Sequence, residues 1–117
     1  MRIFHRQIDD NTNIVYRMGE NRKENHPLIK DSDKNDWWFH LDNLPSCHCV
    51  VERNPIDEDD INFASKIVAE NSNKSEWNNK NIKKVRVCYT QIKNLELTKN
   101  AGEVLLLKTP QIYILRK

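Results

Sequence analysis

The residues best equipped for chemistry lie in two short runs, Asp36-Trp37-Trp38-Phe39-His40 and Cys47-His48-Cys49-Val50-Val51. Both read as strands. Side chains alternate along a strand, so Trp38 and His40 share one face. Trp37, Phe39 and Leu41 take the other, which reads as the core face. By the same alternation, His48 points away from Cys47 and Cys49. If the two strands pair, His40 and His48 meet beside Trp38. Such a polar and aromatic patch can hydrogen-bond a phosphate or stack a base. The competing reading is structural: two histidines, fully hydrogen-bonded, tying strands and loops together. Nothing else in the chain supplies a nucleophile, a base and a group to orient it, so no enzyme activity is expected.

A second set lies in residues 73–86, which carry five bases and one acid. Lys74, Lys80, Lys83, Lys84 and Arg86 flank Trp77. Cations that neutralise phosphates beside an aromatic ring make a surface for single-stranded nucleic acid. The alternative is a solvated basic loop with Trp77 as a lid over the core. Cys47-His48-Cys49 invites a zinc reading, but alternation sends the middle ligand away from the outer two. The usual Cys spacing and a second ligand pair are both missing. The three cysteines, Cys47, Cys49 and Cys88, are expected as small buried hydrophobes. Neither a metal nor a cofactor is expected. Asp57 through Asp60 read as electrostatics for a helix start.

These residues must be positioned by one domain of 117 residues. Apolar residues are 38% and charged residues 31%, a polar composition that still permits one core. No run approaches the eighteen or so apolar residues of a membrane span. The N-terminus MRIFHRQIDD has no apolar signal region. An odd number of cysteines points to a reducing, intracellular compartment, taken as the cytoplasm. The net charge of +2 is too mild to indicate nucleic acid by itself, so the local clustering matters more.

The elements follow from pattern. Met1–Ile8 and Ile14–Met18 form a hairpin across the Asx-rich run Asp9–Asn13. Asn21 caps a short helix beginning at Arg22, and Pro27 is expected to limit it. Trp37–Leu41 and Cys47–Glu52 are strands. The main helix spans about residues 57–72, with Ile61, Ala64, Ile67, Val68 and Asn71 on one stripe. Val85–Gln91, Leu95–Thr98, Val104–Leu107 and Ile112–Leu115 are four closing strands. The fold class is α+β: a single domain with a mainly antiparallel or mixed sheet, one main helix and one short helix.

Taken together, these motifs resemble the NFACT-R domain family. Its signature is an aspartate, an aliphatic residue, Trp, an apolar residue and His, then a small residue, His and Val. Gly19-Glu20-Asn21 through Glu24-Asn25 and Leu28-Ile29 resembles the family's glycine turn and first helix. Val87-Cys88-Tyr89-Thr90 and Ala101-Gly102-Glu103-Val104 resemble two of its later strands, and Ala69 through Ser72 its helix end. Several motifs in the right order are more specific than any one alone. The domain most resembled is the N-terminal one of the eukaryotic coiled-coil members, which a hairpin precedes. It is similar also to the C-terminal domain of the NEMF and RqcH ribosome quality-control factors.

The resemblance implies a non-catalytic RNA-binding domain whose partner is tRNA or a ribosomal complex. For the coiled-coil members it implies DNA. The alternative is a protein-interaction module docking on a ribosomal or quality-control partner. Trp38, His40, His48, Lys74, Trp77, Lys80, Lys83, Lys84 and Arg86 are the expected binding residues. The chain departs from the family pattern at Trp37, Cys47 and Cys49, at Leu97 where Lys is frequent, and at Pro27 inside the first helix.

Overall fold

A short Asx turn closes the first hairpin: the Asp9 carboxylate accepts the Asn11 backbone N–H at 2.8 Å. This joins β1 (Arg2–Asp9) to β2 (Thr12–Gly19). The computed structural model describes every residue from Met1 to Lys117. After β2 come α1 (Arg22–Lys30), β3 (Trp37–Leu41), β4 (His48–Val51), α2 (Glu58–Asn71) and β5 (Lys84–Gln91). A small hairpin of β6 (Leu95–Leu97) and β7 (Val104–Leu106) precedes β8 (Gln111–Arg116). Six strands form one sheet in the order β1-β2-β4-β3-β5-β8, and every pairing is antiparallel. The β6–β7 hairpin forms its own two-stranded sheet. The α+β expectation and the four closing strands are borne out. No helix is long and apolar enough to cross a membrane.

The sheet is covered on both faces, by different means. On one face lies α2. Ala64, Ile67 and Val68 are buried there with Phe39, Leu41, Cys49, Val51, Tyr16, Met18 and Val87. Fully burying a side chain such as Ile or Val contributes roughly 1.5–3 kcal/mol, so this stripe is the main anchor of α2. Its start is fixed by a reciprocal cap. The Asp57 carboxylate accepts the Asp60 N–H at 2.8 Å, and the Asp60 carboxylate accepts the Asp57 N–H at 3.0 Å. Asp60 does more than the capping expected of it. Its carboxylate is fully buried and is held by Arg6 and by Arg53, the latter at 2.8 Å. The Tyr16 hydroxyl, which accepts from Arg6 Nε at 2.9 Å, completes the cluster.

On the other face lie α1 and the β6–β7 hairpin. Leu28, Ile29, Trp38, Val50, Cys88 and Ile92 form a smaller core there, flanked by Leu95, Leu97 and Val104. Two expectations need correcting at this point. Pro27 does not limit α1, which runs through it to Lys30. The proline removes one ladder bond, but the burial of Leu28 and Ile29 in the following half-turn offsets that cost. Asn21 caps the helix as expected, accepting the Glu24 N–H at 3.1 Å. The second correction concerns Trp38, whose face is not open: α1 and the hairpin roof it over. The three cysteines are buried as expected, and the sheet separates Cys88 from Cys47 and Cys49.

Candidate nucleic-acid interface

Strand register brings the two histidines together as alternation predicts. Trp38 pairs with Val50 and Phe39 with Cys49, placing His40 and His48 side by side on the α1 face. Their ring centroids are 4.9 Å apart, edge to face. Each ring has one nitrogen engaged within the protein. Trp38 Nε1–H donates to His48 Nδ1 at 3.1 Å. Nδ1 therefore holds a lone pair, and the proton of the neutral ring sits on Nε2. His40 Nδ1 lies 2.6 Å from the Leu41 carbonyl oxygen, which can only accept. The His40 proton is thus on Nδ1, and its Nε2 is an acceptor. Burial pushes the His48 pKa down to about 3, assisted by His40 and His26. Burial also lowers that of His40, against the opposing pull of the Leu41 carbonyl and Asp42. Both rings are neutral at physiological pH.

Trp38 is 2% exposed, so it cannot stack a base from solvent. Its ring stacks on His40 and its N–H orients His48. It therefore positions the pair rather than forming a binding platform, which corrects the role expected of it.

The pair forms part of the wall of a cleft of about 690 Å³ between α1, the β3–β4 turn and the turn of the β6–β7 hairpin. Arg22, Asn25, Ser46 and Lys99 line it with the histidines. Both glycines of the chain serve this cleft. Gly19 pairs with His48, and a Cβ there would sit 2.2 Å from Asn25 Oδ1. Gly102 has φ of +79° and packs against Arg22, whose Cγ would lie 3.0 Å from an added Cβ. The glycines thus let α1 and the hairpin turn close on the sheet. Asn25 is buried, and its Oδ1 has no hydrogen-bond partner.

The basic residues divide into two groups. Lys74 lies in a 3-10 turn (Asn73–Ser75) and lines a groove with Arg22 and Asn25, on the cleft side. Lys80, Lys83, Lys84 and Arg86 are exposed at the start of β5. Arg86 pairs with Asp42 at 3.2 Å, whereas Lys80, Lys83 and Lys84 enter no salt bridge. Arg116 stands opposite Lys84, so β8 adds a further cation to this corner. Lys84 and Arg86 share the sheet face of Cys88, which pairs with His40. Corner and cleft therefore lie along one face, Lys84 and Cys88 being about 13 Å apart at the rise of a strand.

Trp77 is half-buried against the α2-side core, and Lys117 Nζ lies 4.9 Å from its ring centroid. A base could stack on it only by displacing that cation. Its placement favours the lid reading over the stacking one. Arg116, Lys99, Ser46 and the cleft role of Asn25 were not evident from pattern. The available signals were the alternation Ile112, Ile114, Arg116 and the glycine in Ala101-Gly102.

An antiparallel sheet sandwiched between a helix and a helix-plus-hairpin layer, with a polar cleft and a basic corner on one face, defines a small α+β binding domain. A solved structure with this fold is the C-terminal part of the fibronectin/fibrinogen-binding protein (FBPS) of Streptococcus suis. The TM-score is 0.76 at 20% identity, covering 88% of this chain and 41% of that one. The chain thus spans less than half of the length it matches. No curated protein matches the chain. The family is nonetheless plain: the model described as "NFACT protein RNA binding domain" matches residues 1–112. The chain belongs to the NFACT RNA-binding domain family.

Proposed function

We propose that this domain binds RNA without catalysing a reaction, and that its target is tRNA or a ribosome-associated RNA, as in ribosome quality control. Family membership supports RNA as the partner. The observation that carries the reading is the basic corner, where Lys80, Lys83 and Lys84 are exposed, unpaired and joined by Arg116. Long cationic side chains without protein partners suit phosphates, and they read no sequence. A single strand leaving the corner along the same face reaches the histidine cleft. Trp38 has no part in stacking, and Trp77 is not required for binding.

Replacing Lys80, Lys83 and Lys84 together by Ala tests the reading. Affinity for tRNA, ribosomal subunits, single-stranded RNA and duplex DNA is measured at two salt concentrations. The triple variant is expected to bind RNA more weakly whatever its sequence. Its log–log salt slope should fall in magnitude by about 2 to 3, one contact per lysine. Folding should change by no more than about 0.5 kcal/mol, since the sites are exposed. An unchanged slope removes the corner from the interface. Tighter binding to duplex DNA than to any RNA assigns the domain to DNA. Binding of ribosomal protein that is insensitive to salt supports the docking alternative.

A further inference from the structure

The histidine pair presents one donor and one acceptor to the cleft between α1 and the β6–β7 turn. His48 offers Nε2–H, because Trp38 donates to its Nδ1. His40 offers the lone pair of Nε2, because its Nδ1–H is spent on the Leu41 carbonyl. Neighbouring oxygens are engaged or turned away. Ser46 Oγ donates to the Cys47 carbonyl at 2.7 Å and accepts the Leu41 N–H at 3.0 Å. Asn25 Oδ1 is buried against Gly19. The Glu103 carboxylate accepts from Asn100 Nδ2 at 2.9 Å. The two imidazole rings stand at 81° to each other, with centroids 4.9 Å apart. A hydrogen bond to a ring nitrogen lies near the plane of its ring, so the two bonds follow nearly perpendicular planes. A flat base edge, which makes parallel bonds in one plane, fits such a pair poorly. A hydroxyl fits it well: one oxygen accepts along one direction and donates along another, and its hydrogen rotates to suit. At about 690 Å³ the cleft has room for one nucleotide, and Arg22 and Lys99 stand exposed on its lining.

We propose that the histidine pair binds a ribose 2′-hydroxyl of an RNA strand: the hydroxyl oxygen accepts from His48 Nε2–H, and its hydrogen is donated to His40 Nε2. Arg22 and Lys99 hold the phosphates that flank this ribose. The inference rests on the RNA-binding reading and names how the domain separates RNA from DNA. The basic corner cannot do so, because both polymers carry the same phosphates. The 2′-hydroxyl, both donor and acceptor, is the group that differs at each sugar. A deoxyribose in the same place would cover the two ring nitrogens and leave both without a partner. A site built to hydrogen-bond a hydroxyl rejects the analogue that lacks it for this reason. The contact is with the sugar, so it is indifferent to the base.

The test uses the wild-type protein and twelve-nucleotide oligo(U) strands built throughout on ribose, 2′-deoxyribose or 2′-fluororibose. Their phosphates are identical, and 2′-fluororibose keeps the pucker of ribose without a hydroxyl hydrogen. The ribose strand is expected to bind about tenfold tighter than either of the others. Oligo(C) strands should give the same ratio. His40→Phe keeps a ring of similar size and removes the acceptor. It should bring the ratio of ribose to deoxyribose affinity close to one, with its melting midpoint read alongside. Equal binding of all three strands by wild type overturns the hydroxyl site while leaving RNA binding intact. Equal binding of the ribose and fluororibose strands assigns the gain to sugar pucker and also overturns it. A gain confined to one base assigns the pair to a base edge, with the same result. A His40→Phe protein that melts as wild type does and keeps the full ratio places the discrimination elsewhere and overturns the proposal. A wild-type protein that binds none of the strands overturns the RNA reading and this inference with it.

Discussion

The two faces of the central sheet are built to opposite ends. Under α2 the core is large and apolar, and its one buried carboxylate, Asp60, is fully engaged by Arg6, Arg53 and the helix cap. Under α1 and the hairpin the core is small, and its margin holds two neutral histidines and an unpartnered Asn25. One face has spent its charged groups on the fold, with only the Ser65 hydroxyl of α2 buried and unpartnered. The other keeps hydrogen-bonding capacity in reserve. A domain of this size cannot leave many buried polar atoms unpaired without losing a large part of its stability. The histidine pair lines one cleft on the α1 side, the side we propose as the binding side.

The comparison is most sharply tested at Asp60. Asp60→Ala removes the buried partner of two arginines and half of the capping box. The expected loss is about 3–5 kcal/mol in urea unfolding at neutral pH, because breaking a buried pair strands its partners. Asp60→Asn, which keeps some hydrogen bonds, should lose less. A loss under about 1 kcal/mol for Asp60→Ala would show that the α2 face does not depend on this cluster.

The second test concerns acid. The folded pKa of His48 lies near 3, well below its unfolded value, so the unfolded chain takes up the proton first. Stability from the neutral ring is therefore intact above about pH 6.5 and declines as pH falls toward 3. Between pH 6.5 and 5 the expected loss is about 2 kcal/mol, and the lowered His40 pKa adds to it in the same direction. His48→Gln should flatten this part of the stability profile. A wild-type profile that is flat from pH 7 to 5 would mean that the rings are solvated and the cleft is not as described.

The smallest effect is expected at Trp77. Placed on the α2 side and covered by Lys117, it should behave as part of the stabilising face. Trp77→Ala is expected to cost about 1–2 kcal/mol, less than a fully buried Trp, and to leave RNA affinity unchanged. A tenfold loss of affinity at an unchanged melting midpoint would instead make it a base-stacking residue and blur the division between the faces.

Much of this arrangement was legible in the chain. Alternation placed His40 and His48 on a common face, and the acidic first turn and apolar stripe located α2. The motifs from Gly19 to Gly102 pointed to the family. What pattern could not reveal was coverage. Alternation in Trp37–Leu41 tells which side chains share a face, but not that α1 and a distant hairpin roof over Trp38. The contribution of Arg116 depended on the register between β5 and β8, a long-range pairing without a local signal. At Pro27 a local rule was outweighed by tertiary burial of the next two residues. Asn25 and Gly19 are legible only as a pair, since it is the missing Cβ of one that admits the amide of the other.

The central position of β3 and β4 has a kinetic consequence. Both strands have a neighbour on each side, and their residues are packed from both faces. Moving the histidine floor would mean opening the sheet at its centre, which is the slow, global event for a small domain. The floor therefore meets a ligand as a rigid template whose ordering entropy was lost at folding, so little is lost again on binding. Whatever adjustment a ligand requires falls to the exposed Arg22 and to the Lys99–Gly102 turn, where side chains and loops rearrange within nanoseconds to microseconds. For a strand that reaches this cleft as we propose, the floor is the fixed part and the rim the part that adjusts.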